Sequence, residues 1–243
     1  MSHQAQVEML PNTACLSAGL RSLFPPVVVA AELRGRGDAS TLLAAEAEYL
    51  GHAVPERARE FAAGRLCARR AIAEFGVIEF PIRVAHDRQP VWPELLVGSI
   101  THTDGYCAAV VAERKRLIAI GVDTEVVGRV GPDISAAICV PAEAAWLDSL
   151  PASGRAAAAT LIFCAKEAFY KCQYPLVGEW LDPHDLRIEA LAWGSARASF
   201  AVHATRPLAA ANRVAFPVVG RYRLHEEFMT AGVVFPAEEN KRT

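Results

Sequence analysis

Charged residues sit inside the otherwise apolar stretch Phe163-Cys164-Ala165-Lys166-Glu167-Ala168-Phe169-Tyr170-Lys171. The composition predicts a helix, and a spacing of four puts Glu167 and Lys171 on one stripe of it. A carboxylate and an ammonium in apolar surroundings are costly unless paired, metal-bound or used in chemistry. Upstream, Ile120-Gly121-Val122-Asp123-Thr124-Glu125 reads as a strand, in which Asp123 and Glu125 point to the same face. Two carboxylates on one face repel each other unless a cation lies between them. Hard oxygen ligands favour Mg²⁺ or Mn²⁺ over zinc. Three carboxylates and a lysine, supplied by a strand and a helix, are the parts of a Mg²⁺-dependent phosphoryl-transfer site. Lys166 projects away from the Glu167 stripe.

Two further groups of residues suit a phosphorylated ligand. Gly98-Ser99-Ile100-Thr101-His102-Thr103-Asp104-Gly105-Tyr106 makes a compact loop whose hydroxyls and imidazole can donate to phosphate oxygens. Arg57, Arg83 and Arg88 carry the planar fork that binds phosphate bidentately. Each group also has a plainer reading. Glu167 and Lys171 would make a surface ion pair worth only about 0.3–0.5 kcal/mol. Asp123 and Glu125 would be solvated acids where a strand leaves the core, the loop an ordinary turn, and each arginine a solubilising charge.

The elements that must position these residues follow from periodicity and punctuation. Strands are expected at 27–31, 82–85, 97–101, 106–112 and 117–122, with a turn at 86–90 and a loop at 128–132. Asp38 or Ser40 caps a short helix through Tyr49, closed by Gly51. Pro55 opens a longer helix that Gly76 closes. Phe61, Ala62, Leu66, Ala73 and Phe75 form its apolar face, and Arg57, Arg59, Arg65, Arg69 and Arg70 its polar side. A short helix at 141–150 precedes the long helix, and after Pro175 come strands at 186–189, 196–203, 218–224 and 233–235. The tail 238–243 is polar and frayed. The order predicts an α+β fold of two similar halves, 1–120 and 121–243, each a small antiparallel sheet on a long helix. No sequence repeat links them.

Composition narrows the function classes. The chain has 243 residues, 52% hydrophobic and 21% charged, as expected of a folded protein with a sizeable core. A net charge of −2 gives no general case for nucleic-acid binding. No apolar run approaches a membrane span, and the N-terminus, with His3 and Glu8, lacks a signal peptide's basic region. The six cysteines form no C-x-x-C pair and read as buried thiols of a reducing compartment. A cytoplasmic monomer without stable membrane insertion is the expectation.

Together and in this order, the clusters resemble the 4′-phosphopantetheinyl transferases, most closely the larger Sfp/EntD-type enzymes, over about residues 55–236. Gly121-Val122-Asp123-Thr124-Glu125 matches the family's G-[IV]-D-x-E, and Lys166-Glu167-Ala168-Phe169-Tyr170-Lys171 its K-E-[AS]-x-x-K. Ser99-Ile100-Thr101-His102 matches the S-H segment, with Thr101 for the usual serine, and Phe163 stands where tryptophan is frequent. Phe61 to Arg69 and Gly98 to His102 look most like the EntD subgroup, which serves siderophore synthesis or primary metabolism such as fatty-acid synthesis. The resemblance implies transfer of the phosphopantetheine arm of coenzyme A to a serine of an apo acyl or peptidyl carrier protein, releasing 3′,5′-ADP. Asp123, Glu125 and Glu167 would hold Mg²⁺, and Glu167 would also act as general base. Lys171 would stabilise the leaving group. Arg57, Arg83, Arg88 and His102 would grip the phosphates, Ser99 and Thr101 would shape that pocket, and Lys166 would make a phosphate or structural contact. Two rivals remain. One is a D-x-E two-metal 3′–5′ exonuclease, which would leave the Lys-Glu helix unexplained. The other is a non-catalytic carrier-binding module, which would not need the carboxylates.

Overall fold

A computed structural model describes residues 15–51, 53–191, 193–194 and 198–237. The strand β4 (Tyr106–Glu113) explains why the run 106–112 is apolar at every position: it is buried on both faces. Tyr106, Ala108, Val110 and Ala112 face one core, and Cys107, Ala109 and Val111 the other. It belongs to an antiparallel sheet of order β1 (Cys15–Leu16), β2 (Val29–Arg34), β4, β3 (Leu96–Thr103). The helix α3 (Pro55–Ala73) covers one face, packing Cys67, Ala68, Ala71 and Ile72 against Leu33, Ala109 and Val111. Leu20 of α1 (Ala18–Arg21) packs in the core on the other face, together with Phe24.

The second sheet has the order β5 (Leu117–Val126), β9 (Phe228–Pro236), β8 (Val218–His225), β7 (Ser199–Ala204), β6 (Leu186–Leu191), again all antiparallel. The helix α6 (Ala152–Val177) buries Leu161, Ala165, Ala168 and Phe169 against it, after α4 (Pro132–Ile138) and α5 (Pro141–Ser149). The expected α+β architecture is present: two antiparallel sheets, each on a long helix. A central core holding Val97, Val110, Ile120, Val122 and Phe228 spans both sheets.

Several elements differ from expectation for physical reasons. The helix expected at 38–49 is split into a 3-10 turn and α2 (Ala44–Ala47), with Leu42 and Leu43 extended between them. The run 82–85 makes only a bridge between Val84 and Pro90, since the flanking prolines cannot donate to a ladder. A further helix, α4, begins at Pro132, a residue suited to a first helical turn. The long helix continues through Pro175 and ends where Gly178 adopts φ 67, its N–H bonding the Tyr174 carbonyl. The last strand starts at Phe228 rather than 233 because both β5 and β8 pair with it. Residues 196–197 of one expected strand, the tail 238–243 and residues 1–14 lie outside the described residues.

The two halves share a buried device that no residue identity advertises. In the first half the Glu46 carboxylate accepts from Leu43 N at 3.0 Å and Ile82 N at 2.9 Å, and pairs with Arg69. In the second, Glu143 accepts from Val140 N at 2.8 Å and Ile188 N at 2.6 Å, and pairs with Lys166 at 2.8 Å. Each acid lies 23 residues before its cation.

Candidate active site

The face of β5 that carries Asp123 and Glu125 lies against α6, and Gly121 permits the approach. A Cβ there would overlap the Ala168 carbonyl oxygen and lie 2.8 Å from Cys172 N. Across this contact Lys171 Nζ donates to Asp123 Oδ1 at 2.6 Å. Asp123 is 4% exposed, and its Oδ2 is buried without a hydrogen-bond partner. An unpaired buried carboxylate oxygen is costly. Burial pushes the Glu125 carboxyl up, against the pull of the Thr103 hydroxyl, and the Asp123 charge pushes it further. Burial also pushes Glu167 up, against Lys171 and with Asp123. Burial works to lower Lys171, but Asp123 and Glu167 outweigh it and leave the ammonium raised. Three partly desolvated carboxylates, one with an oxygen lacking a partner, fit a hard divalent cation. Among the described residues no three acidic, His or Cys side chains are already converged on one metal position, and Asp123 is turned toward Lys171.

A cleft of about 410 Å³ opens beside this cluster. Lys171, His102, Ser99, Arg65 and Arg88 line it together with the rings of Trp92, Tyr170, Tyr174 and Trp180. Arg88 reaches it from a tight turn in which its own backbone takes φ 68, a conformation few non-glycine residues adopt. The ring of His102 has Nε2 within 3.5 Å of both Arg57 Nη1 and Glu60 Oε2. Burial holds its pKa below the usual value; Lys171 and Arg57 add to this and Glu60 opposes it.

Every second residue of β3 from 99 to 103 carries a hydroxyl, and all three reach β5. Ser99 Oγ accepts from Val122 N at 3.2 Å, and Thr101 Oγ1 from Thr124 N at 2.9 Å. Thr101 also donates to Asp123 Oδ1 at 3.3 Å, and Thr103 to Glu125 Oε2 at 2.8 Å. The two sheets are thus joined by side-chain hydroxyls where a backbone ladder would otherwise run.

The structure brings together Asp123 and Lys171 with Glu125 and Glu167 nearby, and places Arg88, Ser99 and His102 on the cleft. It places Thr101 at the joint, fully buried. Arg57 lies beside His102, lining a smaller pocket with Arg65. Arg83 is exposed and is not among the residues lining the cleft. Of the two contacts expected of Lys166 the structural one is present and the phosphate one is corrected: its ammonium donates to Ile138 O, Glu143 Oε2 and Pro183 O at 2.7–2.9 Å, which uses all three hydrogens and leaves none for a phosphate. Arg65 and Arg69 are a second correction, because neither lies on a solvated helix side. Arg65 is 7% exposed, its Nε donates to Ile82 O at 2.9 Å, and its guanidinium sits 3.9 Å over the Phe61 ring. Burial draws its pKa down to about 10. The signal for it was available: a charge flanked by Gly64 and Leu66 on an apolar face. The signal for Thr103 was the hydroxyl at every second position.

Comparison with known proteins shows the family. Residues 45–112 match the 4′-phosphopantetheinyl transferase N-terminal domain, and residues 119–223 the 4′-phosphopantetheinyl transferase superfamily. The 4′-phosphopantetheinyl transferase Npt of Nocardia iowensis is 35% identical over 162 residues, 67% of this chain and 72% of that protein. The 4′-phosphopantetheinyl transferase PptT of Mycobacterium tuberculosis is 38% identical over 160 residues, covering 65% and 69%. Enterobactin synthase component D of Shigella flexneri is 36% identical over 126 residues, covering 50% and 57%.

Proposed function

Because this chain belongs to the 4′-phosphopantetheinyl transferase superfamily and is a transferase of that kind, we propose that it moves phosphopantetheine from coenzyme A to a serine of an apo acyl or peptidyl carrier protein, with Mg²⁺ and release of 3′,5′-ADP. The observation that carries the site assignment is the buried Asp123–Lys171 pair with its unpartnered carboxylate oxygen beside the cleft. Asp123, Glu125 and Glu167 are the residues to hold the Mg²⁺, which would neutralise charge on the pyrophosphate. Glu167, its carboxyl pushed up by burial, takes the proton of the carrier serine. The serine oxygen then bonds to the phosphorus as the pyrophosphate P–O bond breaks, and Lys171 donates to the departing oxygen. Arg57, Arg65, Arg88 and His102 bind the phosphates of coenzyme A from the first half.

On this reading residues 1–120 grip the nucleotide, and residues 121–243 carry the metal and the base. We place the enzyme in the cytoplasm as a monomer; no helix among the described residues is long and apolar enough to cross a membrane. A carrier of siderophore synthesis is one candidate partner, as the name of the enterobactin synthase relative suggests. The nuclease reading falls to family membership. The test is mass spectrometry of an apo carrier protein incubated with the protein, coenzyme A and Mg²⁺, with EDTA as control. A metal-dependent gain of one phosphopantetheinyl group is expected. No gain with fatty-acid and peptidyl carriers would overturn the proposal.

A further inference from the structure

The Lys166–Glu143 pair sits on the side of α6 away from Asp123, and ties one turn of that helix to three other elements. Lys166 reaches the end of α4 through Ile138 O, α5 through Glu143, and the turn before β6 through Pro183 O. Glu143 extends the tie to the backbone of Val140 and Ile188. Glu167 is the next residue along the helix, and on its other side β5 closes on α6 at Gly121. The turn that carries Glu167 is held from both sides.

The first half repeats the arrangement around Arg65. Arg69 pairs with Glu46 and donates to Thr41 O at 2.6 Å. Glu46 accepts from the backbone N–H of Ile82, whose carbonyl in turn accepts from Arg65 Nε. The chain from Arg69 through Glu46 and Ile82 thus ends on a cleft-lining guanidinium.

We propose that these are two positioning clamps with separate tasks: Lys166–Glu143 fixes Glu167 at the reacting centre, and Arg69–Glu46 fixes Arg65 in the nucleotide grip. The inference rests on the transferase reading of the cleft. An ion pair built on a fully buried carboxylate is weak evidence of stabilisation, so finding one at the same 23-residue spacing in both halves calls for a role in geometry.

The test compares Lys166→Gln with Arg69→Gln in the full chain, measuring Tm, kcat and KM for coenzyme A. Both variants should lower Tm. Lys166→Gln should cut kcat about a hundredfold and leave KM unchanged, the scale of a misplaced reacting group. Arg69→Gln should raise KM about tenfold and leave kcat unchanged, since it displaces only a binding group. Lys166→Arg should restore the rate, because Arg69 shows that a guanidinium can hold this kind of clamp. Losses of kcat and KM that follow Tm alike in both Gln variants would overturn the proposal. If Lys166→Gln fails to fold, Lys166→Arg still decides. A variant with the parent's Tm but more than about a tenfold loss of kcat would show that the ammonium itself acts on the substrate, and would overturn the proposal. An inactive parent protein would instead refute the transferase reading, whatever the clamps do.

Discussion

Gly121→Ala is the substitution that tests the site's geometry most directly. The added Cβ would overlap the Ala168 carbonyl oxygen and lie 2.8 Å from Cys172 N, where ordinary contact begins at 3.4 Å. Both atoms are helix backbone, so no side chain can turn aside. The helix must retreat from β5 by at least about 0.6 Å, and further at Ala168. Lys171 lies on the same turn, and its 2.6 Å bond to Asp123 would stretch past the normal hydrogen-bond range of about 3.2 Å. Overpacking of this kind costs about 2–3 kcal/mol. For a chain of this length that lowers Tm by about 5–10 °C. Glu167 moves with the same helix, so transfer should fall about a hundredfold below the melting range, as for a reacting group misplaced by a fraction of an ångström or more. The assays are thermal denaturation and carrier-protein mass gain, run on the same preparation. A Gly121→Ala protein with the parent's Tm and rate would refute the claim that this close approach sets the catalytic spacing.

Other expectations follow from the same geometry. Asp123→Asn should abolish transfer while circular dichroism is retained, because it removes the negative charge that pairs with Lys171 and that the proposed metal site needs; undiminished activity would remove the metal assignment. Burial raises the carboxyls of Glu125 and Glu167 in the folded state, so their ionisation opposes folding: the stability they contribute is present below the unfolded carboxylate range and lost as pH rises through the raised values. Glu167→Gln should therefore raise Tm without Mg²⁺ at pH 8 more than at pH 4, and weaken any upward shift of Tm on adding Mg²⁺; an equal effect at both pH values would refute the sign. Arg88→Gly should relieve a left-handed backbone, stabilising by about 1 kcal/mol, while raising KM for coenzyme A more than for dephospho-coenzyme A; equal effects on both would remove Arg88 from phosphate recognition. Thr101→Val should cost about 1–3 kcal/mol in urea denaturation, because Thr124 N is left without an acceptor, whereas Thr101→Ser should be tolerated; equal losses would assign Thr101 to packing alone.

The convergence of Asp123, Glu125, Glu167 and Lys171 was legible because its signal is local. Alternation along a strand put Asp123 and Glu125 on one face, and a spacing of four put Glu167 and Lys171 on one stripe. Charges in apolar runs marked both as unusual. Lys166 carried the same mark and a different meaning, since its partners Glu143, Ile138 and Pro183 come from elements that only the folded chain brings together. The arginines of α3 misled for the opposite reason. A row of guanidinium groups reads as a solvated face, yet Arg65 is buried on Phe61 and Arg69, half-buried, serves the buried Glu46. The hydroxyls of β3 were read as pocket donors, because nothing in a strand's own sequence reveals that the next sheet's N–H groups will point at them. The break at Leu42–Leu43 was hidden for a similar reason: the acceptor for Leu43 N is supplied by the Glu46 side chain.

The hydroxyl seam between β3 and β5 bears on what either half can be by itself. Cut apart near residue 115, the C-terminal piece would expose the N–H groups of Val122 and Thr124 along an unguarded edge, with Ile120, Val122 and Phe228 stripped of Val97 and Val110. Such an edge invites pairing with any strand at hand. A chain of half this length and the same plan would be compelled to self-associate, with a neighbouring copy covering that edge. Joining two halves in one polypeptide converts that obligation into an internal contact, so the seam that closes the edge is built from the chain's own β3.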